Sequence, residues 1–235
     1  MSGPLLLAID TSTVGAGVAL VDGEFPLAHL AWCTPNRQSS HLSAGISTVL
    51  EMAERPMSQI SAVIVATGPG SFNGIRVGIS EAKGLAFGLG VPLAGISTLD
   101  AIGLQAACAV GRVVALVEAG RGEVFSADYT GCGRTWRRAS EYRRLPIHET
   151  ARQCRSGDTL AGPASGLVAV AASGEGINLT CQPPAARIGR TGYLAELGRR
   201  YLEANGQDQL DSVEPLYLRR SAAEETRDAA GRRSK

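Results

Sequence analysis

This sequence is poor in histidine, in paired cysteines and in long apolar runs, and each scarcity removes a class of function. Only His29, His41 and His148 are present, with neither an H-E-x-x-H zinc motif nor a G-x-S-x-G nucleophile elbow, so a protease has little support. The spacing places these three in a strand, at a helix start and in a strand, and His41 reads as a capping or surface side chain. Cysteines 33, 108, 132, 154 and 181 include no C-x-x-C pair. That fits reduced, structural thiols better than a zinc site or a disulfide frame. The longest uncharged stretch, Pro56 to Ile75, is interrupted by two prolines and three glycines, too polar and broken for a membrane span. Residues 1–10 carry no basic side chain ahead of their short apolar run, unlike a secretory signal, and the cytoplasm is the expected location.

What is present is globular and turn-rich. Hydrophobic residues make up 44% of 235 and charged residues 19%, with 29 glycines and 11 prolines, enough for one large domain or two small lobes. The net charge of +1 hides a gradient: residues 1–110 hold 4 basic and 7 acidic side chains, residues 111–186 hold 9 and 7, and residues 187–235 hold 10 and 8. Attraction to nucleic acid therefore belongs to the second half.

The chain opens with a strand-length run, Leu5 to Ile9, ending at Asp10-Thr11-Ser12-Thr13. Strands over 17–21 and 27–32 follow, with Asp22-Gly23 as the hairpin turn. Leu42, Ile46, Val49, Leu50 and Ala53 recur at helical spacing, so 39–53 reads as a helix capped by Ser39 or Ser40. A buried strand over 62–66, a tight loop over 68–74, a helix over 75–89 and a strand over 92–96 complete this half. Then Val113 to Glu118, a strand ending in a carboxylate, leads through a glycine turn into a strand over 123–129. That loosely copies the opening, and an internal duplication of this kind makes two lobes with a cleft between them. A strand over 159–162 and a helix near 193–203 are legible beyond it. Residues 221–235 show no apolar period and read as a frayed, disordered tail.

Three places could carry chemistry. Asp10, Thr11 and Ser12 sit in a turn able to present hydroxyls and backbone amides to a phosphate while the carboxylate holds a metal; the alternative is a turn closed by its own local hydrogen bonds. The loop Gly68-Pro69-Gly70-Ser71-Phe72-Asn73-Gly74 fails both the Walker and the dinucleotide pattern and reads as a glycine loop that lets a helix start against its strand. Arg134, Arg137, Arg138, Arg143 and Arg144, interleaved with Trp136 and Tyr142, have the composition of an RNA-contacting surface or of an exposed hairpin face. On the 75–89 helix, Ile75, Ile79, Ala82, Ala86 and Leu89 form a stripe for the lobe's own sheet. Val77, Gly84, Phe87 and Gly88 fall off it, which points to cover from a second side, by the 39–53 helix or by a partner.

These blocks, with Ile75-Arg76-Val77-Gly78, Ala82-Lys83-Gly84-Leu85-Ala86, Gly122-Glu123-Val124-Phe125 and Glu214-Pro215-Leu216-Tyr217-Leu218-Arg219, resemble the TsaB family of bacterial tRNA threonylcarbamoyladenosine biosynthesis proteins, earlier known as M22-type glycoprotease homologs. Asn73 stands where that family usually has Thr, Glu118 where it has Asp, and His41-Leu42-Ser43 where it has His-Ser-Glu. The resemblance implies an α/β, two-lobed actin, sugar-kinase and Hsp70-like (ASKHA) fold, each lobe a mixed sheet with helices. It implies a first lobe over 1–106, with the helix near 191–205 packing back on it, and a smaller second lobe over 107–220. It further implies a non-catalytic relative of the transferase TsaD, scaffolding TsaD and, through that pair, TsaE, in the complex that modifies tRNAs reading codons that begin with A. TsaD needs two histidines four apart for its metal, and the corresponding positions here are Thr98 and Ile102, so no metal is expected. The isolated subunit is expected to hold no cofactor, with nucleotide at a composite site with TsaD left open, and to pair with itself when alone. Val77, Gly84, Phe87 and Gly88 would be the partner interface, and Arg137, Arg138, Arg143 and Arg144 would meet tRNA. The competing expectations are an active carbamoyltransferase or small-molecule kinase of the same fold, and a peptidase, which rests on the older family name alone.

Overall fold

A computed structural model describes residues 3–33, 40–107, 111–205 and 208–218; the expected tail lies outside them, as does Ser39. The chain runs β1 (Leu5–Asp10), β2 (Gly15–Asp22), β3 (Phe25–Cys33), α1 (Leu42–Met52), β4 (Ala62–Gly68), α2 (Phe72–Leu89), β5 (Leu93–Ser97) and α3 (Thr98–Gln105). It continues as β6 (Val113–Gly120), β7 (Glu123–Thr130), β8 (Arg137–Arg138), β9 (Arg143–Pro146), α4 (Ile147–Gln153), β10 (Thr159–Ala161), α5 (Ser165–Gly174), β11 (Thr180–Cys181) and α6 (Thr191–Asn205). The first sheet has the order β3-β2-β1-β4-β5 and the second β11-β10-β6-β7-β8, with β9 also on β7. In both, the opening strand is antiparallel to its hairpin partner (β1–β2, β6–β7) and parallel to the strand on its other side (β1–β4, β6–β10). The duplication is thus a repeat of topology, two mixed sheets with helices in the ASKHA arrangement.

The repeat stops short of the carboxylates. Asp10 is buried at the end of β1, whereas Glu118 is exposed on β6, which runs two residues past it.

The alternation along β1 explains the layering. Leu5, Leu7 and Ile9 point to one face, where Ile46, Val49 and Leu50 of α1 and Ile75, Ile79, Ala82 and Ala86 of α2 close over them. Ala8 points to the other, with Ala19, Ala94 and Ala101, and these short side chains let α6 lie close through Leu194 and Ala195. A Cβ at Gly198 of α6 would fall within 2.5 Å of Ile64. The second lobe's core forms around α3, where Leu99 and Ile102 pack with Val113, Ala115, Phe125 and Tyr129. α3 therefore joins both lobes.

Several sequence expectations need correction. α1 starts at Leu42 with His41, rather than Ser39 or Ser40, as its N-cap residue, and the His41 side chain makes no capping hydrogen bond. His148 lies in α4 rather than in a strand, since Pro146 ends β9 and sets the helix entry. Arg137–Arg138 and Arg143–Pro146 form no hairpin with each other; both short strands pair with β7. Cys132 is disulfide-bonded, contrary to five reduced thiols, while Cys33, Cys154 and Cys181 are free. No helix among the described residues is long and apolar enough to cross a membrane.

Candidate functional site

The turn after β1 is a closed polar network. Ser12 donates its amide (2.8 Å) and its hydroxyl (2.6 Å) to Asp10 Oδ1, and Thr98 at the start of α3 donates to Ser12 Oγ at 2.8 Å. From the far end of the chain Arg190 enters the same place. Its Nε donates to Asp10 Oδ2 at 2.5 Å, and its Nη2 donates to Thr13 Oγ1 at 2.6 Å, to the Gly15 carbonyl at 3.1 Å and to Ser12 Oγ at 3.4 Å. Asp10 is 1% and Arg190 3% exposed as side chains. No space for a water-sized sphere remains among Asp10, Gly15, Gly17, Arg190 and Thr191. Burying such a pair is tolerable only because its remaining lone pairs and protons are met.

The glycine loop has a packing reason. A Cβ at Gly74 would fall on the Thr11 carbonyl, one at Gly78 would meet Thr11 Oγ1 at 2.5 Å, and one at Gly70 would strike the Ser12 carbonyl. Thr11 in turn donates its hydroxyl to the Gly74 carbonyl at 2.6 Å, and Ser71 caps α2 by accepting from the Gly74 amide. The loop brings helix and turn into contact.

His29 on β3 shares a 2.7 Å hydrogen bond between its Nε2 and Thr191 Oγ1, one residue from Arg190. Burial holds its pKa below 6.5. The unfolded chain therefore takes up this proton more readily than the folded one, so the stability tied to neutral His29 is complete above about 6.5 and falls away as pH drops below it. Urea unfolding at pH 7.5 and 5.5 should show a larger loss for the wild type than for His29→Asn, and equal losses would remove His29 from the acid response.

Between the lobes runs a groove of about 450 Å³ lined by Thr67, Ser97, Asp100, Tyr142, Tyr201 and Glu214, among others. Asp100 of α3 ties it together, accepting from Tyr129 at 2.8 Å and from Tyr142 at 2.7 Å. Burial first, and the Asp100 carboxylate next, raise both phenols above their usual range. These phenols stay protonated and act as donors.

The arginine segment is mostly paired. Arg138 lies 3.6 Å from Asp100 and 4.1 Å from the Tyr142 ring centroid, Arg143 pairs with Asp128 at 2.5 Å and Arg144 with Glu123 at 2.5 Å. Arg137 is exposed on β8. Composition alone counted the cations without these carboxylates. On α2, Val77 (38%), Gly84, Phe87 (79%) and Gly88 are exposed. α1 meets α2 at its flank, where Ser43 donates to Glu81 at 3.2 Å, and it leaves that face open.

Thr98 and Ile102 are both buried. The Thr98 hydroxyl is committed to Ser12 and Ile102 belongs to the second lobe's core, so these positions do not fit a metal centre built on two imidazoles. Among the described residues no group of three or more His, Cys, Asp and Glu side chains is arranged to hold a metal.

A family profile described as TsaD, tRNA N6-adenosine threonylcarbamoyltransferase, matches residues 35–154. The tRNA threonylcarbamoyladenosine biosynthesis protein TsaB of Escherichia coli is 36% identical over 126 residues, 53% of this chain and 54% of that protein. The chain thus spans about half the length of the TsaB relatives it matches. A Mycobacterium tuberculosis protein of uncharacterized function is 30% identical over 220 residues, 93% of each chain. Among solved structures, YeaZ from Pseudomonas aeruginosa has a TM-score of 0.77 at 25% identity, covering 92% of this chain and 100% of its own. The (R)-2-hydroxyglutaryl-CoA dehydratase component A of Acidaminococcus fermentans, at 0.51 and 11%, covering 86% and 100%, shares the fold.

Proposed function

The chain belongs to the TsaB family, and from that membership we propose that it is a non-catalytic scaffold subunit in the formation of threonylcarbamoyladenosine on tRNA, pairing with TsaD and, through that pair, with TsaE. The observation that carries the scaffold reading is the fate of Thr98 and Ile102. Where a transferase of this fold needs two imidazoles, this chain has a hydroxyl tied to Ser12 and a core isoleucine, and neither replaces a nitrogen ligand on iron or zinc. The exposed face of α2 at Val77, Gly84, Phe87 and Gly88 supports pairing there, with a second copy when the chain is alone and with TsaD in the complex. Contact with tRNA draws first on Arg137, exposed on β8, while Arg138, Arg143 and Arg144 would reach it from their ion pairs. Nucleotide, if the complex uses one at this subunit, belongs at the interface with the partner.

The test is depletion in vivo joined to assay in vitro. tRNA from depleted cells should lose threonylcarbamoyladenosine and regain it with the wild-type gene, while the purified chain alone transfers nothing. Transfer by the lone subunit, or about one tightly held iron or zinc per chain, would instead support the active carbamoyltransferase. ATP-dependent turnover of a small molecule by the lone subunit would support the kinase.

A further inference from the structure

We infer that the turn after β1 is a cation site whose cation is built into the chain: the Arg190 guanidinium occupies, from 180 residues away, the place where a chain lacking it would take a hard divalent metal ion. The inference stands apart from the proposed role in tRNA modification. Its ground is the chemistry of what Arg190 touches. The atoms around Nε and Nη2 are a carboxylate oxygen of Asp10, the hydroxyls of Ser12 and Thr13 and the carbonyl of Gly15. All are acceptors in these contacts. A phosphate would need donors, and the side-chain donors of Ser12 and Thr13 are already committed: the Ser12 hydroxyl, with the Ser12 amide, goes to Asp10 Oδ1, and the Thr13 hydroxyl goes to the Gly15 carbonyl at 3.0 Å. Three of these oxygens meet at Nη2 and the carboxylate oxygen lies beside them on Nε; an all-oxygen set of this kind is what Ca²⁺ or Mg²⁺ accepts, and also what a fork of N–H groups satisfies without a metal.

The arrangement is a built one. Arg190 immediately precedes α6, where a fixed positive charge opposes the helix dipole. The chain accepts that cost, and the counter-charge sits on β1. Gly17 and Gly189 flank the entry: a Cβ on Gly17 would meet the Leu30 carbonyl at 2.9 Å, and one on Gly189 would meet the His29 ring at 3.1 Å. Both glycines thus sit in close contact with β3 beside the segment that carries the arginine. With the site filled, Asp10 is closed to metal and to metal–nucleotide, and any such ligand of this chain must bind elsewhere.

Removing the guanidinium should expose the site. Thermal unfolding of the full chain is followed with Ca²⁺, with methylguanidinium at non-denaturing concentration and with urea at the same concentration as a neutral planar control. Wild type should not respond to either cation. Arg190→Ala should melt lower and regain several degrees with Ca²⁺ or methylguanidinium but not with urea, and Asp10→Asn in the same background should erase the gain. The proposal is overturned if Arg190→Ala responds no more than wild type, or if wild type itself binds Mg²⁺ or Mg²⁺–ATP in a way that Asp10→Asn abolishes. Should Arg190→Ala be recovered only unfolded, Arg190→Gln, which keeps an amide donor, carries the same titration; no cation response in either variant also overturns the proposal.

Discussion

Asp10→Ala is expected to lower the free energy of unfolding by about 3–5 kcal/mol, the typical cost of removing one partner from a buried ion pair. The variant takes the Asp10 carboxylate away from an Arg190 guanidinium that is 3% exposed. Domains of this kind are stable by roughly 5–15 kcal/mol, so a substantial part of the margin goes with one side chain. In urea the midpoint should fall while the slope stays constant, because the surface exposed on unfolding is unchanged. A double variant, Asp10→Ala with Arg190→Met, should recover much of the loss, since an apolar pair has no charge left to strand. A loss below about 1 kcal/mol would show that water reaches the guanidinium and that the turn is open.

Gly84→Arg is expected to leave the fold intact and to weaken pairing with TsaD by two orders of magnitude or more. Gly84 is exposed, and a Cβ there meets nothing within 4 Å, so the free chain has room for the new side chain. Replacing glycine in a helix interior even gains roughly 1 kcal/mol of helix propensity. Across an interface the same guanidinium would be buried without a partner, at a cost of several kcal/mol, and each 1.4 kcal/mol is about a factor of ten in affinity. Size exclusion with TsaD and a melting curve of the variant separate the two effects. Coelution as a tight pair would place the interface elsewhere and leave Phe87 and Val77 as ordinary exposed side chains.

The parts of the fold legible in the sequence are those where period and punctuation agree. β1 to β5 are bounded by Asp22-Gly23, the 68–74 loop and Gly90, and the stripe Ile75, Ile79, Ala82 and Ala86 is the buried face of α2. α3 is hard to read because it follows β5 without a break, Ser97 serving as both last strand residue and N-cap. α5 is small and apolar nearly all round, with Val170 exposed, so it has no period to read. At the site, the turn was legible and its occupant was not. Arg190 lies 180 positions from Asp10, and no local rule links them. The available signal was a misplacement, an arginine at the start of a helix, where basic residues are disfavoured. The pairing of the arginines on β8 and β9 is illegible for a related reason. Their carboxylates, Asp100, Asp128 and Glu123, are brought beside them by β7 and α3 and are not neighbours in sequence.

The segment 208–218 returns along the first lobe after α6. There Asp208 Oδ1 accepts from the Leu93 amide at 2.8 Å, Gln209 Oε1 accepts from the Gly95 amide at 2.7 Å, and the Gln209 amide donates to the Leu93 carbonyl. Two side chains thereby satisfy the amides of Leu93 and Gly95 on β5, one of the two terminal strands of its sheet. A strand from another chain that approached β5 would find these two amides already satisfied and would first have to displace the 208–218 segment.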